Sequence, residues 1–454
     1  MKKYLIVLKG ESNTGKTTVL KLLSEKLRKE YEFKSYEIDD CEYEEKNLNQ
    51  IEKTKDWCIS FEIDKISKMI ISTGGDEDKC INNFLKEFKQ NDVFIGITAC
   101  QCVNKNNNRY KAILQTIQKN NNFELIELTN YGNFEYRNLL NKVKSEELFE
   151  LVNNLLVLKK NEIYSMLSDE EKLNLYYLSK HLKLKKNSVI VEYGTFLGGS
   201  LQFILNGLKE NSTYNNNYIY AIDLFCVDDF NSWFDDFKIR FENLGLENCI
   251  EKNKIDWFSY VKDNFKSITN LQLLKSSHEN FKLEEKQEIA LLHLDLAKRF
   301  NTLKDILSNL YVNLNRESLI IHQDFFYHFS GEVIAFLYKM IKEKKIEVEL
   351  ISSFGSIYLK NFTITLEDLN SFDISDIDLM VSLIDESIYF FDKEINFWQK
   401  ASLYGAIINL LKISGKNYNK YLKKLNQLEN KQTANHINRM LDELNNKNLF
   451  KGYL

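Results

Sequence analysis

The feature that most constrains the fold is a glycine-rich loop close to the start of the chain. The run Gly10-Glu11-Ser12-Asn13-Thr14-Gly15-Lys16-Thr17 fits the pattern G-x-x-x-x-G-K-[ST] at every constrained position. An apolar run over residues 4–8 precedes the loop, and a helical stretch beginning at Thr18 follows it. In such a strand–loop–helix unit, backbone N–H groups and the positive end of the helix surround phosphate oxygens. The pattern therefore predicts an α/β unit with a phosphate-binding loop.

This segment resembles the Walker A loop of P-loop NTPases and small-molecule kinases. The resemblance implies that ATP binds with Mg²⁺, that Lys16 acts on the β- and γ-phosphates as the catalytic residue, and that the Thr17 hydroxyl ligates the metal. The residues expected at the nucleotide are Gly10, Ser12, Asn13, Thr14, Gly15, Lys16, Thr17 and Thr18. An acid at a strand terminus is expected to hold a Mg²⁺-bound water, and Asp76 is the candidate. The alternative is that Asp76 caps the following helix.

The sequence up to residue 145 alternates short apolar strands with helical stretches, as an α/β domain does. The strand candidates are residues 4–8, 58–63, 66–72, 93–99 and 124–129. Only two residues separate the second candidate from the third, which predicts a β-hairpin and therefore an antiparallel pair in the sheet. Helical periodicity continues over residues 146–186, which are expected to connect this domain to the next.

A second glycine-rich loop follows the strand candidate at residues 188–192. The run Glu192-Tyr193-Gly194-Thr195-Phe196-Leu197-Gly198-Gly199-Ser200 leads directly into a helical stretch. It resembles the first glycine motif of class I S-adenosylmethionine-dependent methyltransferases, in particular the small-molecule and sugar O-methyltransferases whose loop reads E-x-G-x-x-x-G-G-S. The resemblance implies a Rossmann-like domain over residues 187–361 that binds S-adenosylmethionine. The cofactor contacts it implies in this loop are Glu192, Gly194, Gly198, Gly199 and Ser200.

A dinucleotide-binding fold is the main alternative for this loop. Its fingerprint, G-x-G-x-x-G, needs the second glycine so that the backbone can approach a pyrophosphate. Phe196 stands at that position, which favours a cofactor without a pyrophosphate. The next strand candidate ends at Asp223, and an acid there accepts hydrogen bonds from ribose hydroxyls. Residues 271–279 resemble the segment that brackets the adenine in the methyltransferase family, which makes Ser277 a further candidate contact.

The strand candidates at residues 289–295 and 318–324 both end in the pattern H-x-D. Because ligands bind beyond the carboxyl ends of the strands in an open α/β sheet, Asp295 and Asp324 are expected to face one cleft. The related O-methyltransferases place acids at these positions, and some members use them to hold a divalent cation. The two aspartates are accordingly the candidate metal ligands. Oxygen ligands suit Mg²⁺, whereas an added histidine would favour a transition metal.

Histidines near these strand ends are the candidate proton acceptors. Period-2 alternation places His293 on the same side of its strand as Asp295, and His322 on the same side as Asp324. His322 and His328 are the candidate catalytic bases, and His328 is expected to be the more accessible. The alternative is that His293 and His322 are packed between the sheet and a helix.

From residue 362 onward the strand pattern ends and helical periodicity takes over. The apolar residues that repeat at helical spacing are Leu403, Ile407, Leu410, Leu411, Ile437, Met440, Leu441 and Leu444. The pattern predicts a helical cap or a dimerisation element, and hence a possible homo-oligomer.

Composition limits the classes of function. A chain of 454 residues predicts two or three domains, and contents of 44% apolar and 28% charged residues are typical of a soluble globular protein. The net charge of −4 gives no electrostatic support for a nucleic-acid partner. No apolar run approaches the ~20 residues that span a bilayer. Seven scattered cysteines, an odd number, argue against a disulfide framework and favour the cytoplasm.

These observations predict an α/β protein in four segments. They are an N-terminal P-loop three-layer domain (1–145), a helical connector (146–186), a central Rossmann-like methyltransferase domain (187–361) and a helical C-terminal region (362–454). The first hypothesis is a bifunctional enzyme that uses ATP in one domain and transfers a methyl group to a sugar or related metabolite in the other. The alternative is a nucleotide-hydrolysing regulatory or assembly protein that carries a cofactor-binding module.

Overall fold

The computed structural model divides into two compact units, Met1–Lys159 and Lys160–Leu454. The residues that it describes are 3–9, 16–39, 42–45, 57–64, 67–73, 78–90, 92–100, 113–115, 123–129, 137–159, 163–231, 233–428 and 434–445. Several predicted nucleotide-site residues lie outside these ranges, namely Gly10, Ser12, Asn13, Thr14, Gly15 and Asp76.

The first unit is built on one seven-stranded sheet. Its strands are β1 (Lys3–Lys9), β2 (Phe33–Asp39), β3 (Glu42–Glu45), β4 (Trp57–Asp64), β5 (Ser67–Ser72), β6 (Val93–Cys100) and β7 (Phe123–Thr129), in the order β3-β2-β4-β5-β6-β1-β7. Strands β5, β6, β1 and β7 are parallel neighbours. Strands β4, β2 and β3 extend the sheet with antiparallel pairs, and the β4–β5 pair confirms the predicted hairpin.

Helices cover both faces of this sheet. Its inner strand β1 is apolar on both sides, so each face needs a layer of helices to bury it. The described helices are α1 (Lys16–Leu27), α2 (Asp78–Phe88) and α3 (Arg137–Lys159). Ile6 and Leu8 pack on one face with residues of α1 and α3, whereas Leu5 and Val7 pack on the other with residues of α2. Burial on both faces is typical of a parallel strand between two layers of helices.

The second unit holds another seven-stranded sheet and a small hairpin. Its strands are β8 (Ser188–Tyr193), β9 (Ile219–Asp223), β10 (Cys226–Asp228), β11 (Lys254–Asp256), β12 (Leu271–Lys275), β13 (Glu288–Leu294), β14 (Leu319–His322), β15 (Glu347–Ile351) and β16 (Ile357–Lys360). The large sheet has the order β12-β9-β8-β13-β14-β16-β15, and β10 pairs with β11. Its strands are parallel except β16, which is antiparallel to both neighbours. The first five strands follow the doubly wound order, and the antiparallel β16 departs from the six parallel strands of the dinucleotide fold.

The helices of the second unit are α4 (Asp169–His181), α5 (Gly199–Lys209), α6 (Phe234–Asn243), α7 (Phe258–Phe265), α8 (Phe300–Leu310), α9 (Gly331–Lys342), α10 (Leu366–Ser371), α11 (Ile377–Phe390), α12 (Phe397–Ile413), α13 (Asn419–Asn426) and α14 (Ala434–Asn445). Residues 146–186, predicted as one helical connector, contribute to α3 in the first unit and to α4 in the second.

The C-terminal helices share one apolar core with the sheet of the second unit. Leu403 and Ile407 on α12 and Ile437 and Met440 on α14 are buried in the same cluster as residues of β13 and β14. The side chains that repeat at helical spacing are thus used inside the unit. The predicted homo-oligomer stays a prediction.

The expected absence of a membrane-spanning segment and the expected free cysteines can be compared with the described residues. Among those residues, no helix combines the length and the apolar content needed to cross a membrane. Cys58, Cys226 and Cys249 are free thiols. The cytoplasmic location stays a prediction.

A fully buried glutamate on α4 holds the loop between β15 and β16. Glu171 Oε1 accepts hydrogen bonds from the hydroxyls of Ser352 (3.2 Å) and Ser356 (2.6 Å) and from the Gly355 N–H (3.2 Å). Its Oε2 accepts from the N–H and the hydroxyl of Ser168, the N-cap residue of α4. Five donors replace the water that a buried carboxylate loses, so α4 and the loop are fixed together.

We expect Glu171→Ala to lower the free energy of unfolding of the second unit by about 2–4 kcal/mol, because buried donors lose their acceptor. Glu170 is the matched control, since it accepts from the Ser353 N–H (2.9 Å) at the surface. Glu170→Ala should cost less than about 1 kcal/mol. Chemical denaturation of the full chain, followed by tryptophan fluorescence, measures both. Equal losses in the two variants would contradict the proposed role of Glu171 in fixing the loop between β15 and β16.

Candidate active site at the carboxyl edge of the second sheet

Backbone hydrogen bonds align the strand ends of the second sheet at one edge. Gly194, Ser276, Asp295 and Gln323 each follow a strand, and each donates its N–H to a carbonyl at the end of a neighbouring strand at 2.8–3.0 Å. This edge is where an open α/β sheet binds its ligand. The segments that carry Asp295 and Asp324 are therefore neighbours, as their shared electrostatic interaction also indicates.

The glycine loop between β8 and α5 passes very close to neighbouring backbone. Gly194 has φ +87°, and a Cβ on it would lie 2.9 Å from the carbonyl atoms of Asp295. A Cβ on Gly199 would lie 2.5 Å from the carbonyl oxygen of Tyr164. Neither position therefore accepts a larger residue without a shift of backbone. The predicted cofactor residues Gly198, Gly199 and Ser200 form the N-cap and first turn of α5, and all three are buried.

Phe196, the residue that distinguishes this loop from a dinucleotide fingerprint, has φ +48°. That left-handed conformation is uncommon for a bulky residue, so surrounding contacts must hold it. Its N–H donates to Asp223 Oδ2 at 2.9 Å. Its ring packs edge-on against Trp257 and Phe237, with ring centroids 5.5 Å and 5.6 Å apart. In this glycine loop an aromatic side chain therefore occupies the position at which a dinucleotide fingerprint has a glycine.

Asp223 ends β9 and ties the glycine loop to the next strand. Its Oδ2 accepts from the Phe196 N–H, and its Oδ1 accepts from the Phe225 N–H at 2.6 Å. Burial raises the pKa of Asp223, and these backbone donors lower it, with a net pKa above the ordinary value. Both oxygens of Asp223 thus accept hydrogen bonds from the backbone.

A buried acid–histidine pair lies at the centre of the site. Glu192 on β8 and His293 on β13 are opposite each other in the parallel register, and both are fully buried. His293 Nδ1 lies 3.0 Å from Glu192 Oε1, and its Nε2 lies 3.5 Å from Gln323 Oε1. Burial lowers the pKa of His293, but the contact with Glu192 and the charge of Asp295 outweigh it and raise the pKa overall. Glu192 Oε2 and the Thr195 hydroxyl are buried without a hydrogen-bond partner in the protein.

The two predicted metal ligands lie beside a lysine. Lys298 Nζ is 3.2 Å from Asp324 Oδ2 and 5.2 Å from the centroid of the Tyr327 ring. Burial raises the pKa of Asp295 well above its usual range, and the neighbouring Asp324 raises it further. The site therefore contains two carboxyl groups and one cation supplied by the chain itself. The predicted divalent cation fits this set poorly, because the ammonium already lies at one of its two carboxylates.

The two predicted catalytic bases are both buried. His322 is 1% exposed, and its Nε2 lies 2.9 Å from the carbonyl oxygen of Ala297. His328 is 4% exposed, and its Nε2 lies 3.1 Å from Glu443 Oε2 on α14. His328 is the more exposed of the two, as predicted, but it is still buried, and Glu443 of α14 lies against it. Burial lowers the pKa of His322 to about 4, so this histidine is neutral at pH 7.

Ser277, the predicted contact of the adenine, lies two residues beyond the carboxyl end of β12, and its role stays a prediction. It is half-buried and is the N-cap residue of a short 3₁₀ turn. The following His278 lies 3.6 Å from Asp305 Oδ2 on α8 and 4.0 Å from Glu279 Oε1. These three form the one group among the described residues in which three ligand atoms lie close enough for a metal ion.

In the first unit, the described part of the nucleotide site is the start of α1. Lys16 is the first residue of that helix and is 7% exposed, Thr17 is half-buried and Thr18 is exposed. β1 precedes the loop and lies between two parallel strands, β6 and β7. The strand–loop–helix context is therefore present on both sides of the predicted phosphate loop.

No family model and no curated protein sequence matches the chain. Among solved structures, the O-methyltransferase NovP is 15% identical, with 44% of this chain and 82% of NovP covered and a TM-score of 0.31. CalS11, a TDP-rhamnose 3′-O-methyltransferase of calicheamicin biosynthesis, is 16% identical, with 46% and 94% covered and a TM-score of 0.31. The Podospora anserina methyltransferase PaMTH1, solved with SAH, is 12% identical, with 48% and 96% covered and a TM-score of 0.27. Since these TM-scores are low, the function proposed below rests on the residues of the chain itself.

Sequence reasoning missed two residues of the site. Lys298 lies in a loop three residues after Asp295, and Gln323 lies between the two members of the second H-x-D pattern. The signal for Lys298 was the need of paired carboxylates for a positive partner. No pattern in the sequence indicates Gln323, because its role depends on the side chain of a residue on another strand.

We expect the neutral, buried His322 to make the second unit acid-sensitive. Its folded pKa of about 4 lies below the ordinary value of 6.5, so the unfolded chain binds a proton that the folded chain does not. The free energy of unfolding therefore keeps its full contribution from His322 above pH 6.5. It decreases by about 3 kcal/mol as the pH drops towards 4. His322→Gln should flatten this dependence, while the exposed His181→Gln should not. Thermal unfolding between pH 7 and 4.5 measures it, and identical profiles in all three proteins would contradict it.

Proposed function

We propose that the second unit is an S-adenosylmethionine-dependent methyltransferase that acts on an oxygen or nitrogen of a small molecule, such as a sugar or related metabolite. The observation that carries the proposal is the surroundings of the second glycine loop. Three acids, Glu192, Asp223 and Asp295, lie around a loop that closely approaches other backbone. Such a loop favours a cationic cofactor and disfavours a pyrophosphate, which acids would repel.

The loop residues have distinct roles in this proposal. Gly194, Gly198, Gly199 and Ser200 let the backbone lie against the cofactor, and Asp223 accepts hydrogen bonds from its ribose hydroxyls. Glu192 Oε2, buried and without a donor, faces a positively charged part of the cofactor. S-adenosylmethionine supplies a methyl group that its sulfonium centre has already activated.

The chain then has to orient the acceptor and take its proton. Asp295 suits the proton acceptor better than the predicted His322 and His328, since both histidines are enclosed. Burial and Asp324 raise the pKa of Asp295, which makes it a stronger base than an ordinary carboxylate. Asp295 would take the proton of the acceptor oxygen as that oxygen bonds to the methyl carbon, while the carbon–sulfur bond of the cofactor would break and leave neutral S-adenosylhomocysteine. Ser277 completes the proposed cofactor site at the adenine end.

Binding of S-adenosylhomocysteine tests this function without knowledge of the acceptor. We expect it to bind more tightly than NAD in calorimetric titrations of the full chain. Asp223→Ala should weaken that binding by about 1–3 kcal/mol, because the ribose loses its acceptor. Asp228→Ala, at an exposed acid on β10, is the matched control and should leave affinity unchanged. Tighter binding of NAD would overturn the assignment.

For the first unit we propose binding of ATP with Mg²⁺ at the glycine loop, with Lys16 and Thr17 on the phosphates and the metal and Asp76 on a metal-bound water. The supporting observation is that β1 and α1 flank the loop and that α1 begins at Lys16. Transfer to a small acceptor would make this unit kinase-like. Hydrolysis without an acceptor would favour the regulatory alternative.

Lys16→Ala should abolish ATP binding or turnover, because the phosphates lose their fixed cation. Affinity for S-adenosylhomocysteine should stay nearly unchanged, since the second glycine loop belongs to a different sheet. Lys21→Ala, on the same helix but beyond the loop pattern, is the control. Calorimetry with each ligand measures both effects. Unchanged ATP affinity in Lys16→Ala would show that the loop is a structural turn.

A further inference from the structure

The paired aspartates of the second unit need a positive partner, and the chain contains one. We propose that Lys298 supplies this charge in the place of a divalent cation, so that the acceptor site works without a metal. The proposal deepens the methyl-transfer function and rests on it for the nature of the site. It reverses the expectation, drawn from resemblance, that Asp295 and Asp324 ligate a metal.

Lys298 lies in contact with one of the two acids and interacts electrostatically with the other. Its Nζ is 3.2 Å from Asp324 Oδ2, and the Tyr327 ring lies 5.2 Å from the same nitrogen. The ion pair and the cation–π contact both favour the ammonium at this place. The lysine also acts electrostatically on Asp295.

The backbone that carries Lys298 is anchored on the next helix. Arg299 Nη1 donates to Glu332 Oε1 at 3.0 Å, and the Phe300 N–H donates to Glu332 Oε2 at 3.0 Å. Glu332 lies in the first turn of α9. Two hydrogen bonds to one carboxylate fix the segment directly after Lys298, which limits how far the lysine can retreat from the acids.

The remaining donors near the aspartates do not form a metal site. His293 is engaged by Glu192 and Gln323, and His322 Nε2 lies against a carbonyl oxygen. A Mg²⁺ ion bound by two carboxylates keeps several waters, and an ammonium in the same space competes with that shell and repels the ion. Within the described ranges, the group with three ligand atoms in reach is His278, Glu279 and Asp305, which does not include either aspartate.

An ammonium in this place performs the electrostatic part of what a metal does for a hydroxyl acceptor. It stabilises negative charge on the acceptor oxygen as the proton leaves for Asp295. Its ion pair with Asp324 keeps it at the site and offsets the repulsion between the two acids. Unlike a metal, it is present in every copy of the chain and cannot be removed by a chelator.

Binding of Mn²⁺, followed by electron paramagnetic resonance, tests the proposal without a methyl acceptor. Every protein carries Asp305→Asn, which removes the other three-ligand group. The chain with Lys298 should bind no Mn²⁺ that depends on Asp324. Lys298→Met should gain an Asp324-dependent site whose affinity for Mn²⁺ is at least ~30-fold above the detection limit for the chain with Lys298, because a neighbouring positive charge is gone. The added change Asp324→Asn should abolish that site, and Lys298→Arg, which keeps the charge, should not gain it.

Two results would overturn the proposal. One is Mn²⁺ bound to the chain with Lys298 at a site that Asp324→Asn removes. The other is a Lys298→Met protein that gains no site, since the lysine would then not be what stands in the place of the metal. Titration of S-adenosylhomocysteine into the same proteins keeps the two questions apart. If the chain with Lys298 fails to bind it, the methyltransferase function fails, and the Mn²⁺ result still decides the role of Lys298.

Discussion

The site depends on one buried contact, between Glu192 and His293. The two residues are opposite each other on adjacent parallel strands, with no exposed surface on either side chain. Removal of one partner from such a pair leaves an uncompensated buried charge, which typically costs about 3–5 kcal/mol. The contact therefore favours the register in which the glycine loop follows β8 next to Asp295, which follows β13. It also points the second oxygen of Glu192 away from the histidine, where it has no protein donor.

Around this pair, acidic groups outnumber the positive ones that the chain supplies. Glu192 is opposed by His293, and Asp324 by Lys298, whereas Asp223 and Asp295 have raised pKa values. Burial is the main cause of both raised pKa values, and the neighbouring acids Glu192 and Asp324 raise them further. The excess of acids therefore adds to the effect of burial on the pKa of Asp295, and it supports the proposed cationic cofactor.

The sequence predicted the parts of this arrangement that follow from periodicity. Apolar runs located β8, β9, β13 and β14, and the terminal acids of those runs lie at the expected edge. The short β16 was not predicted, because four residues carry too little pattern, and its antiparallel direction depends on pairing with β14. The polar strands β2 and β3 were missed for a related reason, since Glu42–Glu45 contains no apolar alternation. The burial of His328 was not predicted, because it depends on the packing of α14 against it, and no local pattern indicates which residues a helix packs against.

The chain uses a strand, a glycine loop and a helix twice, and the charges beside each loop indicate two different ligands. A glycine loop that leads into a helix generally favours an anion, because backbone N–H groups and the positive end of the helix lie there. In the first unit the loop pattern ends in Lys16, which adds to that preference. In the second unit Glu192 precedes the loop, and Asp223 binds its backbone at Phe196. Carboxylates in this place offset the positive end of the helix, which supports the proposed cationic cofactor over a phosphate. The distinction therefore lies in the acids at the strand ends, which a glycine pattern by itself does not reveal.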